Sequence, residues 1–164
     1  MAIRQPLATP SDLPAEAVDK VAAALNPLIA DAFALYLKTK NFHWHLSGPR
    51  FRDLHLLFDE QADQLLESID PLAERVRKLG RLTLHSVGEV AKLASIANDD
   101  EGYVEAADMV TRLLEDNRAM VVKQREALAV VADANDGATE NLLQSLIDDT
   151  ERRVWFLYSI SQNE

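Results

Sequence analysis

The stretch from Phe51 to Leu79 contains no glycine, and its apolar residues recur at three- and four-residue steps: Leu54, Leu57, Phe58, Ala62, Leu65, Ile69, Leu72, Val76 and Leu79. That period belongs to one face of a single long α-helix. Gly80 supplies the expected stop. Three further patterns of similar length flank it. The first runs from about Pro14, a good first-turn residue, to about Leu46. It is interrupted at Asn26-Pro27 by a kink or by a fresh start capped by Asn26. The third begins near Asp99-Asp100 and runs to about Ala132, with Val104, Ala107, Val110, Leu114, Val121 and Leu128 on its apolar face. The fourth covers Thr139 to Gln162 through Leu142, Leu143, Leu146, Trp155 and Tyr158, with Trp155 expected in the core. Asn135-Asp136-Gly137 reads as the turn between the last two. The interval from Arg81 to Asp100 is too long for a turn, and Val87, Val90, Ala91, Leu93 and Ala94 predict a short helix inside it. Four helices of this length predict an all-α chain folded as a four-helix bundle. No repeat, low-complexity tract or linker divides it, so residues 1–164 are expected to form one domain, with 1–13 a flexible extension.

The absence of cysteine removes disulfides and thiolate metal sites from consideration and fits a reducing compartment. The first residues lack the long apolar run of a secretory signal, and no segment reads as long and apolar enough to span a membrane. A cytoplasmic protein with no membrane partner is expected. The net charge of −10 bears on nucleic acid, because DNA binding needs Lys and Arg to neutralise phosphates. The first twenty residues set Arg4 and Lys20 against Asp12, Glu16 and Asp19, and Arg152 and Arg153 lie within a predicted helix.

Chemistry concentrates in two places: His43-Trp44-His45-Leu46-Ser47-Gly48 with His55 and Asp59, and Asp70-Pro71-Leu72-Ala73-Glu74-Arg75. Imidazole nitrogen with carboxylate oxygen suits iron, zinc or manganese. On a helix His55 and Asp59 are one turn apart, as are Asp70 and Glu74. The fifteen residues from His55 to Asp70 span about 22 Å and advance the helix by about 60° net, so both pairs face broadly one side. A metal with bonds near ~2 Å cannot bridge that distance. If two copies of this helix pack antiparallel across a two-fold axis, His55 and Asp59 of one chain meet Asp70 and Glu74 of the other, and two identical sites result. His43, folded back across the turn at Ser47-Gly48-Pro49, is expected near His55. His45 and His85 have no such support and read as solvent or packing residues. Taken alone, each pair reads better as a solvated helix face than as a metal site, and Asp70 with Glu74 the more so. None of the four histidines follows a Glu three residues before it, which argues against a di-iron site inside one bundle.

These residues resemble the ferroxidase signature of the Dps branch of the ferritin-like family, the DNA-binding proteins from starved cells. His43, Trp44, Gly48, His55, Asp59, Asp70, Glu74 and Arg75 match its pattern position by position, and the resemblance extends over nearly the whole chain. Pro71, inside the helix, and Thr83, where the pattern usually has proline or alanine, depart from it. The resemblance implies a long second-to-third connection carrying the short helix, and a homododecameric hollow shell built from two-fold dimers. It implies iron(II) oxidation at a site of His43, His55 and Asp59 with the two-fold mate's Asp70 and Glu74, and ferric mineral storage. Hydrogen peroxide is implied as the preferred oxidant, with dioxygen the alternative, so that both Fenton reactants are removed together. It also implies Trp44 as an electron donor beside the iron and acidic residues near the last turn (Asp133, Asp136, Glu140) as pore lining; helix-start chemistry is their plainer reading. Arg75 is expected either to pair with Glu74 and orient it or to lie at the surface. Two other readings stay open. One is a nucleoid-binding stress protein, which the missing basic arm argues against. The other is a metal-sequestering shell without turnover, with zinc competing for the same ligands.

Overall fold

The computed structural model describes residues 5–162. Its helices are α1 (Ala15–His45), α2 (Phe51–Lys78), α3 (Val87–Leu93), α4 (Ala106–Asp133) and α5 (Gly137–Ser161). The four long ones form a bundle, with the short α3 on the crossover between α2 and α4. One apolar cluster joins the first half of α1, the second halves of α2 and α4 and the start of α5. The other joins the opposite halves together with Ile96 and Val104 of the crossover. Each helix is therefore antiparallel to its sequence neighbour within the pairs α1–α2 and α4–α5.

Several boundaries differ from those read in the sequence. α1 runs unbroken through Pro27, and Asn26 is no cap: its amide donates to the Leu82 carbonyl (3.2 Å). α4 begins at Ala106, well after Asp99. Residues 95–97, which open the irregular stretch before it, are held by buried polar groups of α1. Asp31, fully buried, accepts from Ser95 N–H and Oγ–H and from Ile96 N–H, and Lys38 donates to the Ala97 carbonyl while pairing with Asp116 at 2.7 Å. α1 is also long and apolar enough to cross a membrane, contrary to the expectation that no segment would be. Half of its most apolar stretch is buried against the bundle, as in a core helix. Trp155, expected in the core, is 65% exposed; Thr150, Arg153 and Leu157 take the buried positions of that part of α5.

α2 ends in a Schellman arrangement: Gly80 N–H donates to the Arg77 carbonyl and Arg81 N–H to the Val76 carbonyl, with Gly80 at φ +69°. A side chain at Gly80 would also collide with the Thr9 backbone. Residues 1–4 of the expected flexible extension lie outside the described residues; further along, Arg77 Nη2 donates to the Leu7 carbonyl (2.7 Å) and Leu13 packs on the core.

The crossover carries a misfit at the Thr83 hydroxyl, which is buried without a hydrogen-bond partner. A buried hydroxyl without a partner costs free energy that an apolar group of the same shape does not. Thr83→Val is expected to raise the unfolding free energy by about 1 kcal/mol. Denaturant titration checks this, and a loss of stability would mean that the hydroxyl is satisfied.

Candidate metal centre

The loop joining α1 to α2 turns back sharply because Leu46 leaves the helix extended and Gly48 adopts φ +108°, a value side-chain-bearing residues avoid. Phe51 N–H then donates to the Gly48 carbonyl and α2 begins. This reversal stacks the His43 ring on the His55 ring, with centroids 3.8 Å apart and planes 18° from parallel. Phe51 stacks on the other side of His55 at 5.0 Å. The two histidines brace each other through the backbone. His43 Nδ1 lies 2.8 Å from the His55 carbonyl, and His55 Nδ1 lies 3.0 Å from the His43 carbonyl. A carbonyl only accepts, so each Nδ1 carries the proton and donates. In the neutral ring each Nε2 is then the lone-pair nitrogen, the form in which an imidazole binds a metal.

Asp59, one turn along α2 from His55, brings Oδ1 to 3.7 Å from His43 Nε2. His43 is therefore a neighbour of both His55 and Asp59 within one chain. A fourth group, absent from the sequence reading, joins them: Lys40, whose ammonium pairs with Asp59 Oδ1. Hydrogen bonding from Lys40 holds the Asp59 carboxyl below its ordinary range, and Asp59 holds Lys40 protonated above its own. The clue was available, since Lys40 is three residues before His43 and thus on the same face of α1.

Asp70 and Glu74 are exposed further along α2, and Glu74 pairs with Lys78 at 3.1 Å. Among the described residues, no three His, Asp or Glu side chains of one chain converge as a ready metal site. Trp44 is 59% exposed beside the histidines. His45 and His85 are also exposed, the first against the Asn41 carbonyl and the second against Glu89.

Two expectations need correction. Arg75 does not pair with Glu74. Its Nε donates to Thr139 Oγ1 and its Nη2 to Asp136 Oδ1, both at 2.6 Å. Asp136, expected as pore lining, has no free carboxylate. It is 3% exposed and caps α5, accepting from Thr139 N–H and Oγ–H as well as from Arg75. Asp133 is exposed and Glu140 half-buried. Burial alone would raise the Asp136 carboxyl, but Arg75 and Thr139 together hold it below its ordinary value of 3.8. A lowered carboxyl stabilises the fold fully above 3.8, and the gain is lost as pH falls through the folded-state value, because the unfolded chain takes the proton first. Asp136→Asn keeps a capping oxygen and loses the charge. It is expected to cost about 1–3 kcal/mol at neutral pH. The deficit should shrink in unfolding titrations below pH 3.8, and a deficit constant with pH would contradict the assignment.

The centre of the bundle itself is unsuited to a cation. Its buried polar groups include Gln61, Asn117, Gln124, Thr150 and Arg153, which bring amides, a hydroxyl and a guanidinium.

Comparison with known proteins agrees with this architecture. A family model described as a ferritin-like domain matches residues 22–164. The DNA protection during starvation protein of Brevibacillus brevis is 35% identical over 137 residues, covering 84% of this chain and 91% of that protein. The structure of DpsC from Streptomyces coelicolor superimposes with a TM-score of 0.92 at 29% identity, covering 99% and 94% of the two chains. The Dps protein of Vibrio cholerae, described as a member of a broad superfamily of ferritin-like diiron-carboxylate proteins, superimposes at 0.86 with 28% identity over 97% and 96%. The chain belongs to the ferritin-like family, in its Dps branch.

Proposed function

We propose that this protein oxidises Fe²⁺ at a site shared between two subunits and stores the ferric product as mineral inside an oligomeric shell. The observation that carries this reading is the division of ligands on α2. His43, His55 and Asp59 cluster at one end, and Asp70 and Glu74 stand further along the same helix, with about 22 Å of helical rise from His55 to Asp70. Antiparallel pairing of two α2 helices joins each cluster to the other chain's carboxylates. An apolar surface beside this face supports such pairing. Phe33, Leu37 and Trp44 are exposed along one side of α1, and α3 packs on α1 without burying any residue of its own. Between α1 and α3 lies an open groove of about 710 Å³ lined by Phe33, Leu37, Leu84, Val87 and Val90. A second copy of this chain is its occupant in the proposed assembly, and a homododecamer of such dimers is the proposed shell.

Iron is the substrate of this reaction. Two Fe²⁺ ions give one electron each to hydrogen peroxide, and with two protons the products are two Fe³⁺ and two waters. Imidazole Nε2 retains the softer ferrous ion, and the carboxylates accommodate both oxidation states. Lys40 must yield Asp59 as the metal arrives, which makes its ammonium the natural counter-ion of the metal-free site. Taking both electrons in one site leaves no hydroxyl radical to escape. Dioxygen is the slower alternative oxidant in this reading, and zinc competes for the ligands without turning over.

The test is anaerobic mixing of Fe²⁺ with hydrogen peroxide, following ferric absorbance and radical yield. Oxidation faster than in buffer with radicals suppressed is expected, together with inhibition by zinc. Rates and radicals equal to those in buffer would leave a metal-sequestering shell as the better account.

A further inference from the structure

The last turns of α2 carry both Asp70 and Glu74, and Pro71 sits between them. Proline has no N–H to give the Glu67 carbonyl, so a rung of the helical ladder is missing where the carboxylates are mounted. Side-chain ends lie about 5–6 Å from a helix axis, so a rotation of about 10° past that point moves a carboxylate by about 1 Å. Metal ligation tolerates about 0.2 Å. The Lys78 partner of Glu74 cannot supply the stiffness, since both side chains are more than half exposed and such pairs are weak.

Arg75 supplies it from the flank of the helix. Its guanidinium forks onto Thr139 Oγ1 and Asp136 Oδ1, and Asp136 and Thr139 are themselves buried and bonded to each other. A fork of two bonds fixes direction as well as distance, which apolar packing does less sharply. We infer that Arg75 is a positioning residue for the shared metal site. Clamped to the start of α5, it sets the rotation of α2 beyond Pro71 and so presents Glu74, relative to Asp70 on the other side of the proline, to the partner subunit. The inference rests on the proposed reading of those two carboxylates as ligands.

Co²⁺ binding to the assembled protein, followed by visible absorption and calorimetry, tests it without turnover. Arg75→Gln and Asp136→Asn are each expected to weaken Co²⁺ about tenfold and to change its absorption band, with circular dichroism and assembled mass unchanged. Arg75→Lys should fail to rescue, because one ammonium cannot reproduce the fork. Adding Pro71→Ala to Arg75→Gln returns the missing rung and should recover part of the affinity. If Arg75→Gln does not fold, Asp136→Asn carries the same test. Wild-type affinity and spectrum in both variants, while Glu74→Ala loses binding, would overturn the positioning role and leave the ligand reading standing. So would a complete failure of Pro71→Ala to recover affinity, which would assign the loss to general destabilisation. Full Co²⁺ affinity in Glu74→Ala would overturn both.

Discussion

Replacing Asp70 and Glu74 together with alanine is expected to slow peroxide-driven Fe²⁺ oxidation at least about 100-fold. Loss of a group that merely orients a metal ligand already costs about 10–100-fold, and here two ligands leave at once. Stability should hardly change. Both side chains are exposed, and their one recorded ion pair, Glu74 with Lys78, lies in solvent. Surface changes of this kind stay within about 0.5 kcal/mol. Activity and stability thus separate, which distinguishes loss of a site from loss of a fold. Stopped-flow rates and thermal unfolding on the same preparations measure both quantities. Unchanged oxidation would remove these residues from the site.

The second large effect is expected in the bundle interior. Arg153 is 5% exposed, and burial pushes its guanidinium down to about 10. Its Nε donates to Asn117 Oδ1 (2.9 Å) and its Nη2 to Thr150 Oγ1 (2.8 Å). Thr150 Oγ1 also accepts from Gln124 and donates to the Leu146 carbonyl, so its hydroxyl is fully used. Asn117→Leu strands the buried cation and should cost about 3–5 kcal/mol. Arg153→Met in the same chain removes the cation as well, and the double variant should recover most of the loss, because a buried charge is replaceable by an apolar side chain of similar length. Denaturant midpoints of the two singles and the double measure the coupling. Equal losses in Asn117→Leu and the double variant would mean that Arg153 is not what Asn117 serves.

That interior also explains where sequence reading reached its limit. On α2 every residue assigned to the apolar stripe is buried except Leu57, which is half-buried, because the stripe there is almost unbroken by polar residues. On α4 the stripe was taken through Ala107, Val110, Leu114, Val121 and Leu128. Val110 and Leu114 are buried as expected, but Ala107 is exposed and Val121 and Leu128 are half-buried, and the buried face continues through Leu113, Asn117, Met120, Gln124, Ala127 and Val131. Two polar residues stand in the middle of the true face, so the apolar period slid to its edge. Arg153 misled in the same way on α5 and sent Trp155 inward on paper.

The candidate site was legible where local geometry decides it. A glycine-dependent reversal brings His43 to His55, and helical spacing brings Asp59 beside them. Contacts that join distant parts of the chain were not legible. Arg75 reaches past its neighbour Glu74 to Asp136 and Thr139. No periodicity encodes such pairings. The start of α4 was lost for a similar reason: Asp31 and Lys38 hold the crossover from a helix far earlier in the chain.

The central claim is that each site draws ligands from two subunits, and mixing two dead proteins tests it most directly. One variant carries Asp70→Ala and Glu74→Ala; the other carries His43→Ala, His55→Ala and Asp59→Ala. Neither homodimer holds an intact site, but a mixed dimer rebuilds one of its two. Random pairing at equal amounts should therefore restore about a quarter of the wild-type Fe²⁺ oxidation rate. A mixture as inactive as its parents, with mixed dimers verified by mass, would contradict the shared site.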